Sequence, residues 1–169
     1  MDFRAIAPEA VSFKKGKTVV AKGPEGRITV QIPECPCTVR VHSPGTYRID
    51  LKVPSSPAHD AFVEWVEAVE VVAARSDVGL GGLTRSSTVY TGYDGTRSVR
   101  LMAFSDTLVF DDRGELSADI RTAKKCIALV DLSGAWATDA KWGLRWKVTQ
   151  LKFWNTCDGV PPRDEPCMF

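Results

Sequence analysis

The sequence predicts a mainly β protein, a small closed or partly closed barrel with one amphipathic helix in mid-chain. Two features carry this reading. Most of the 169 residues fall into short runs of alternating or β-branched character, separated by Gly, Pro and Asp turns. One stretch, residues 57–75, breaks the pattern with apolar residues at helical spacing. A jelly-roll or β-sandwich is the second candidate for the same elements. The length suits one domain over residues 1–154, followed by a short acidic tail over 155–169 that is expected to be flexible.

Taken in order, residues 11–20 read as a hairpin turning at Gly16, and Arg27 to Ile32 alternates as a strand until Pro33 and Pro36 interrupt it. Thr38 to His42 forms the next strand and ends at the Pro44–Gly45 turn; Tyr47 to Val53 alternates apolar with charged. Ser56 is placed to cap a helix with Pro57 at its first position. Phe62, Trp65, Val66, Val69, Val72 and Ala73 then define its apolar face, with Asp60, Glu64, Glu67 and Glu70 expected outside and His59 expected at the surface. An acidic outer face would repel phosphate, so the helix should lie away from any polyanion and plug one end of the barrel. Residues 79–95 read as a loop. Strands resume at 98–104 and 107–110, then at the nearly all-apolar 125–132, and finally from Leu144 to Phe153. The apolar parity of the last strand switches beyond Gln150, which predicts a bulge there. These elements fit first the five-stranded oligonucleotide-binding barrel, with its helix between the third and fourth strands.

Composition excludes several classes. Apolar and charged fractions of 44% and 25% are those of an ordinary globular protein. No run reaches membrane-span length, and Met1-Asp2-Phe3-Arg4 opens no apolar leader, so an intracellular setting without a membrane partner is expected. Cys35, Cys37, Cys126, Cys157 and Cys167 are odd in number and irregular in spacing, which argues for reduced thiols. Cys35, Cys37 and His42 offer three zinc ligands at most, with no clear fourth, so neither metal nor cofactor is expected. Asp106, Asp111 and Asp112 surround a turn, where Asp serves the backbone, and do not read as a two-metal centre. With no nucleophile elbow, no Walker loop and no Cys/His pair at catalytic spacing, no catalytic residue is assigned and an enzyme is not expected.

The stretch from Trp136 to Trp154 holds four of the five tryptophans, threaded with Lys141, Arg145, Lys147 and Lys152. Tryptophan is most often core, but interleaving with charge argues against all four being buried. Flat rings beside fixed positive charge suit unpaired nucleobases and their phosphates, each stacked base contributing about 1–3 kcal/mol. The net charge of +1 hides a basic segment, Arg121 to Trp154, with seven basic residues against two acidic ones. Trp136 and Trp142, flanking the turn before the last strand, are the stacking candidates; Trp146 shares a face with Leu144 and Val148 and is expected in the core. Arg48, Lys52, Arg145 and Lys147 would floor a cationic groove, with Lys124 and Lys125 at its edge and Lys141 beside the turn. Tyr90, Tyr93 and Arg97 sit on or beside the loop that would close over the strand.

Three stretches carry a family likeness across roughly residues 47–154: Phe62 to Val69, Arg100 to Asp111, and Ala128 to Trp136 leading into Trp142-Gly-Leu-Arg-Trp-Lys-Val-Thr-Gln150. They resemble small single-stranded-DNA-binding proteins of phages and large eukaryotic DNA viruses. The resemblance implies an oligonucleotide-binding barrel that coats unpaired DNA in replication or recombination. RNA stays open as a ligand, because stacking ignores the 2′-hydroxyl, and so does a homo-oligomer. The terminal Asp164, Glu165 and Phe169 look like the acidic tip through which such proteins recruit replication proteins, although only two acids are adjacent here. The alternative is a non-enzymatic structural or protein–protein interaction component, such as a minor virion protein, with tryptophans as anchors.

Overall fold

The computed structural model describes residues 2–117 and 119–155. Two short 3-10 turns, Phe3–Ala5 and Pro8–Ala10, lead into β1 (Ser12–Lys15) and β2 (Val19–Lys22). There follow β3 (Ile28–Ser43), β4 (Thr46–Val53), α1 (Pro57–Arg75), β5 (Thr84–Arg85) and β6 (Val89–Thr91). The series ends with β7 (Arg97–Ala103), β8 (Leu108–Phe110), β9 (Lys125–Ala137) and β10 (Lys141–Trp154). The expected class, mainly β with one central helix, is the one observed. All ten strands belong to one sheet, which sets aside two facing sheets.

Five strands form the curved wall, in the order β10-β9-β3-β4-β7, every neighbouring pair antiparallel. The two ends of this wall, β7 and β10, share no ladder among the described residues, so the barrel is open along one seam. Two short parallel pairings partly close it. β5 joins the start of β10 (Thr84 opposite Lys141), and β8 joins its end (Leu108 opposite Gln150). Between these clamps the chain leaves β10 to form the β6–β7 hairpin. The middle of β10 is left without a strand on that side.

The expectation of two strands broken by Pro33 and Pro36 is corrected to one long strand. The prolines lie where β3 hands over from β9 to β4, and the β3–β9 register shifts between Ile32 and Cys35. A residue with no N–H is tolerated where the ladder is interrupted. The bulge expected near Gln150 is present, and a second register shift lies between Arg145 and Trp146. α1 lies where it was predicted and follows the second of the five wall strands.

Ser56 caps α1 by accepting from the His59 N–H, with Pro57 in the first turn. His59, expected at the surface, is buried; its ring bonds Ser56 Oγ at 2.7 Å and the Glu34 carbonyl at 2.9 Å. Phe62, Trp65, Val66, Val69 and Ala73 join the barrel core of Ile28, Val30, Ile49, Leu51, Val99, Leu101, Val130 and Val148. The Trp65 indole donates to the Ile6 carbonyl at 2.7 Å, and Phe3 packs edge-on against Phe62 at 5.5 Å, so the N-terminal turns seal the helix. Cys35, Cys37 and Cys126 are buried free thiols, whereas Cys157 and Cys167 lie outside the described residues. Among the described residues no helix is long and apolar enough to cross a membrane.

Gly134 lets β2 approach β9. Its φ is +151°, and a Cβ built there would lie 1.9 Å from the Val19 carbonyl oxygen. Gly134→Ala must therefore push β2 away from Gly134 and Ala135, its partners on β9. The expected cost is about 2 kcal/mol or more, read as a lower urea midpoint; an unchanged midpoint would refute this packing.

Candidate nucleic-acid interface

A cleft of about 560 Å3 opens in the seam between β6–β7 and β9–β10. On one side are Ser86, Ser87 and Thr88 of the β5–β6 connection, Tyr90 of β6, and Arg100, Met102 and Phe104 at β7. On the other are Ser133 and Trp136 of β9 and the run Leu144 to Lys147 of β10. Strict alternation would point every second β10 residue inward. The shift between Arg145 and Trp146 breaks that parity, so consecutive residues reach the same cleft.

The structure exchanges the roles expected of two tryptophans. Trp142, a predicted stacking ring, is 1% exposed and packs into the core beside β5. Trp146, predicted core, is half-buried and lines the cleft. Its inner side meets Trp65 at a centroid distance of 6.3 Å, and its Nε1 donates to Thr88 Oγ1 at 3.0 Å. Trp136, the other predicted stacking ring, lines the cleft. Its ring lies against Gly143, where a Cβ would come within 2.8 Å of the indole and 2.9 Å of the Ser86 carbonyl.

Of the predicted cations, Arg145 and Lys147 line the cleft. Arg145 donates to the Ala135 carbonyl at 3.2 Å, and Lys147 bonds the Asp106 carboxylate, which it holds below its ordinary range. Arg100 is a cation that strand reading did not single out. It sits 5.7 Å from the centre of the Tyr90 ring and bonds Asp50 Oδ1 at 2.9 Å, while Arg48 bonds Asp50 Oδ2 at 3.0 Å. Burial alone would raise the Asp50 carboxyl, but these two guanidiniums outweigh it and lower it. Tyr90, Arg100, Asp50 and Arg48 thus form a row across β6, β7 and β4, and Lys52 is exposed farther along β4. The signal for Arg100 was the polar and apolar alternation through Ser98, Val99, Arg100 and Leu101.

Other predicted residues are not brought to the cleft. Lys125 is buried in an ion pair with Glu34 at 3.0 Å, across β3 and β9. Arg97 is drawn to the helix start, donating to the Pro54 carbonyl and pairing with Asp60 at 2.7 Å. Lys124 and Lys141 are exposed at opposite ends of the β9–β10 pair. Tyr93 is fully exposed on the turn after β6 and does not line the cleft. Asp164, Glu165 and Phe169 lie outside the described residues. Among the described residues, no group of three His, Cys, Asp or Glu side chains is placed to hold a metal ion.

Glu70, expected on the outer helix face, is 1% exposed and reaches beneath the loop wall. Its Oε1 accepts from the Thr88 N–H at 2.6 Å, and its Oε2 faces Arg85 Nη1 at 3.5 Å. Burial pushes its carboxyl above the ordinary 4.5, more than Thr88 and Arg85 pull it down.

No protein-family model matches the chain, and no curated protein matches it. Solved structures do. The single-stranded DNA binding protein gp2.5 of bacteriophage T7 is similar at a TM-score of 0.59 and 13% identity, over 82% of this chain and 92% of that one. The single-stranded DNA-binding protein of bacteriophage Enc34 gives 0.56 and 11%, over 92% and 93%. Its complex with single-stranded DNA gives 0.50 and 13%, over 95% and 99%. At these identities the likeness establishes a shared fold, the open oligonucleotide-binding type of barrel.

A raised folded-state value means that folded Glu70 binds its proton more tightly than the unfolded chain does. Its contribution to stability therefore falls as pH rises from about 4.5 through the higher folded value. The unfolding free energy of the wild type relative to Glu70→Gln should increase as pH is lowered through that window. A difference independent of pH would show that burial does not perturb this carboxyl.

Proposed function

We propose that the seam cleft binds unpaired DNA without reading its sequence. Bases stack on Trp146, Trp136 and Tyr90, and phosphates meet Arg100, Arg145 and Lys147. One observation carries the reading: three rings and three cations, supplied by four different strands, converge on a single open cleft. Stacking accepts every base, since every base has a π-face, and the cations act on a backbone common to all sequences. The ordered row from Arg100 through Asp50 to Arg48 continues the polar surface onto β4, where Lys52 extends it. The protein is read as a binding module that coats single strands during replication or recombination, not as an enzyme. The fold it shares with phage single-stranded DNA-binding proteins, one of them in complex with such DNA, supports this.

Each cleft cation already has a partner, which shapes the mechanism. Lys147 must exchange Asp106 for a phosphate, and Arg100 is held by Asp50 beneath Tyr90. Electrostatic gain per contact is therefore modest, and the rings supply more of the affinity. RNA is bound by the same chemistry and differs only through contacts to the 2′-hydroxyl.

Oligo-dT should quench tryptophan fluorescence. Its association constant should fall with salt at a log–log slope of about −2, the value for three cations each neutralising a phosphate of a single strand. Trp146→Ala should weaken binding about ten- to a hundredfold, in line with the loss of a stacked base. A flat titration at low salt would reject the nucleic-acid reading in favour of a structural or protein-interaction component.

A further inference from the structure

We propose that Glu70 is a positioning residue for base stacking: through Thr88 it sets the Trp146 indole that faces the cleft. The inference rests on the single-strand-binding role proposed above, and it concerns residues which that role leaves unused.

The geometry is a relay of two hydrogen bonds. The Glu70 carboxylate, on α1, accepts from the Thr88 main-chain N–H at 2.6 Å. The Thr88 hydroxyl in turn accepts from the Trp146 indole N–H at 3.0 Å. Thr88 lies between two short strands, β5 and β6, in a segment with little ladder of its own. That segment forms the cleft wall opposite Trp146 and Lys147. Two further anchors hold it, the β5–β10 pairing and the bond from Ser86 N–H to the Trp142 carbonyl at 2.7 Å. Both act at its Arg85 end. At the other end the β6–β7 ladder begins at Val89, and Glu70 holds the Thr88 N–H itself.

A carboxylate in this place is costly for stability alone. It is 1% exposed, and its Oε2 has no hydrogen-bond donor among the described residues. Its neighbouring charges are Arg85, half in solvent at 3.5 Å, and Glu67 on the same helix, which opposes ionisation. A leucine would fill similar space with no desolvation penalty. What a leucine cannot do is hold the Thr88 N–H, and a buried N–H without an acceptor drives its segment to another conformation. The wall would then shift, the Thr88 hydroxyl would leave the indole, and the Trp146 ring would lose the constraint that aims it into the cleft. A preordered ring stacks without the entropic cost of ordering it at binding.

The test uses the full chain and four variants: Glu70→Leu, Glu70→Gln, Thr88→Val and Thr88→Ser. Two readouts are needed, hydrogen exchange at the Trp146 indole N–H without DNA, and oligo-dT affinity. Glu70→Leu and Thr88→Val should each accelerate indole exchange and weaken binding about tenfold, a loss within the value of one stacked base. Their thermal midpoints need not fall in step with binding. Glu70→Gln and Thr88→Ser keep the acceptors and should stay within about threefold of the wild type on both readouts. The double variant Glu70→Leu/Thr88→Val should lose no more than either single one, as members of one relay do. Wild-type binding with Glu70→Leu unimpaired, or additive losses in the double variant, would overturn the proposal. If the wild type itself fails to bind oligo-dT, the single-strand reading fails, and the exchange data still report whether the relay exists. Should Glu70→Leu not fold, Thr88→Val carries the same comparison.

Discussion

The two clamps on β10 are the constraint from which the rest of the site follows. β5 holds its first residues and β8 its last, each by a parallel pairing of two or three residues. Between them β7 lies near β10 without pairing to it. A fully paired barrel would fill this seam with backbone hydrogen bonds and side chains. Here the ladder stops, and the chain that would have continued it turns out into the β6–β7 hairpin. The seam becomes a cleft with a floor from β10 and a lip from the loop before β6. Because both ends are tied, its width is set by the fold and not by the ligand.

Local irregularities then decide which side chains enter it. A register shift at Arg145/Trp146 breaks the alternation of β10 where it borders the cleft, so that Arg145, Trp146 and Lys147 all line it. The absence of a side chain at Gly143 lets the Trp136 ring lie close against the strand. Asp50 gathers two arginines, and one of them underlies Tyr90. Each device places a ring or a cation at the seam and removes freedom from it. The acids that do this, Asp50 and Asp106, also temper the charge of the cleft, which is consistent with a whole molecule near neutrality.

The elements that depend on local periodicity were legible in the sequence. Helix 57–75 and its Ser56 cap match to the residue, since spacing and capping are properties of neighbouring residues. The gathering of Trp136, Arg145 and Lys147 was legible because charge and aromatic residues alternate along one segment. Trp146 was misplaced because a bulge moves a side chain from one face to the other, and the local pattern marks the slip of β10 near Gln150 but not the one between Arg145 and Trp146; Trp142 was misplaced because β5, distant in sequence, pairs beside it. His59, Glu70 and Lys125 looked like surface residues for a related reason. Each is buried by a segment distant in sequence: the bulge within β3, the loop at Thr88, and Glu34 across the sheet. Arg97, next to the loop, was drawn instead to the helix start by Asp60. Polar residues that satisfy one another over long sequence separations leave no periodic trace.

The proposed path of the nucleic acid is the seam between β7 and β10. Photocrosslinking of iododeoxyuridine-substituted oligo-dT to the full chain, with the adducts mapped by mass spectrometry, tests this most directly. Adducts are expected at Trp146, Trp136 and Tyr90, lost together when unlabelled single strand competes. Adducts confined to α1 or to the β1–β2 hairpin, with the seam residues unmodified, would contradict it.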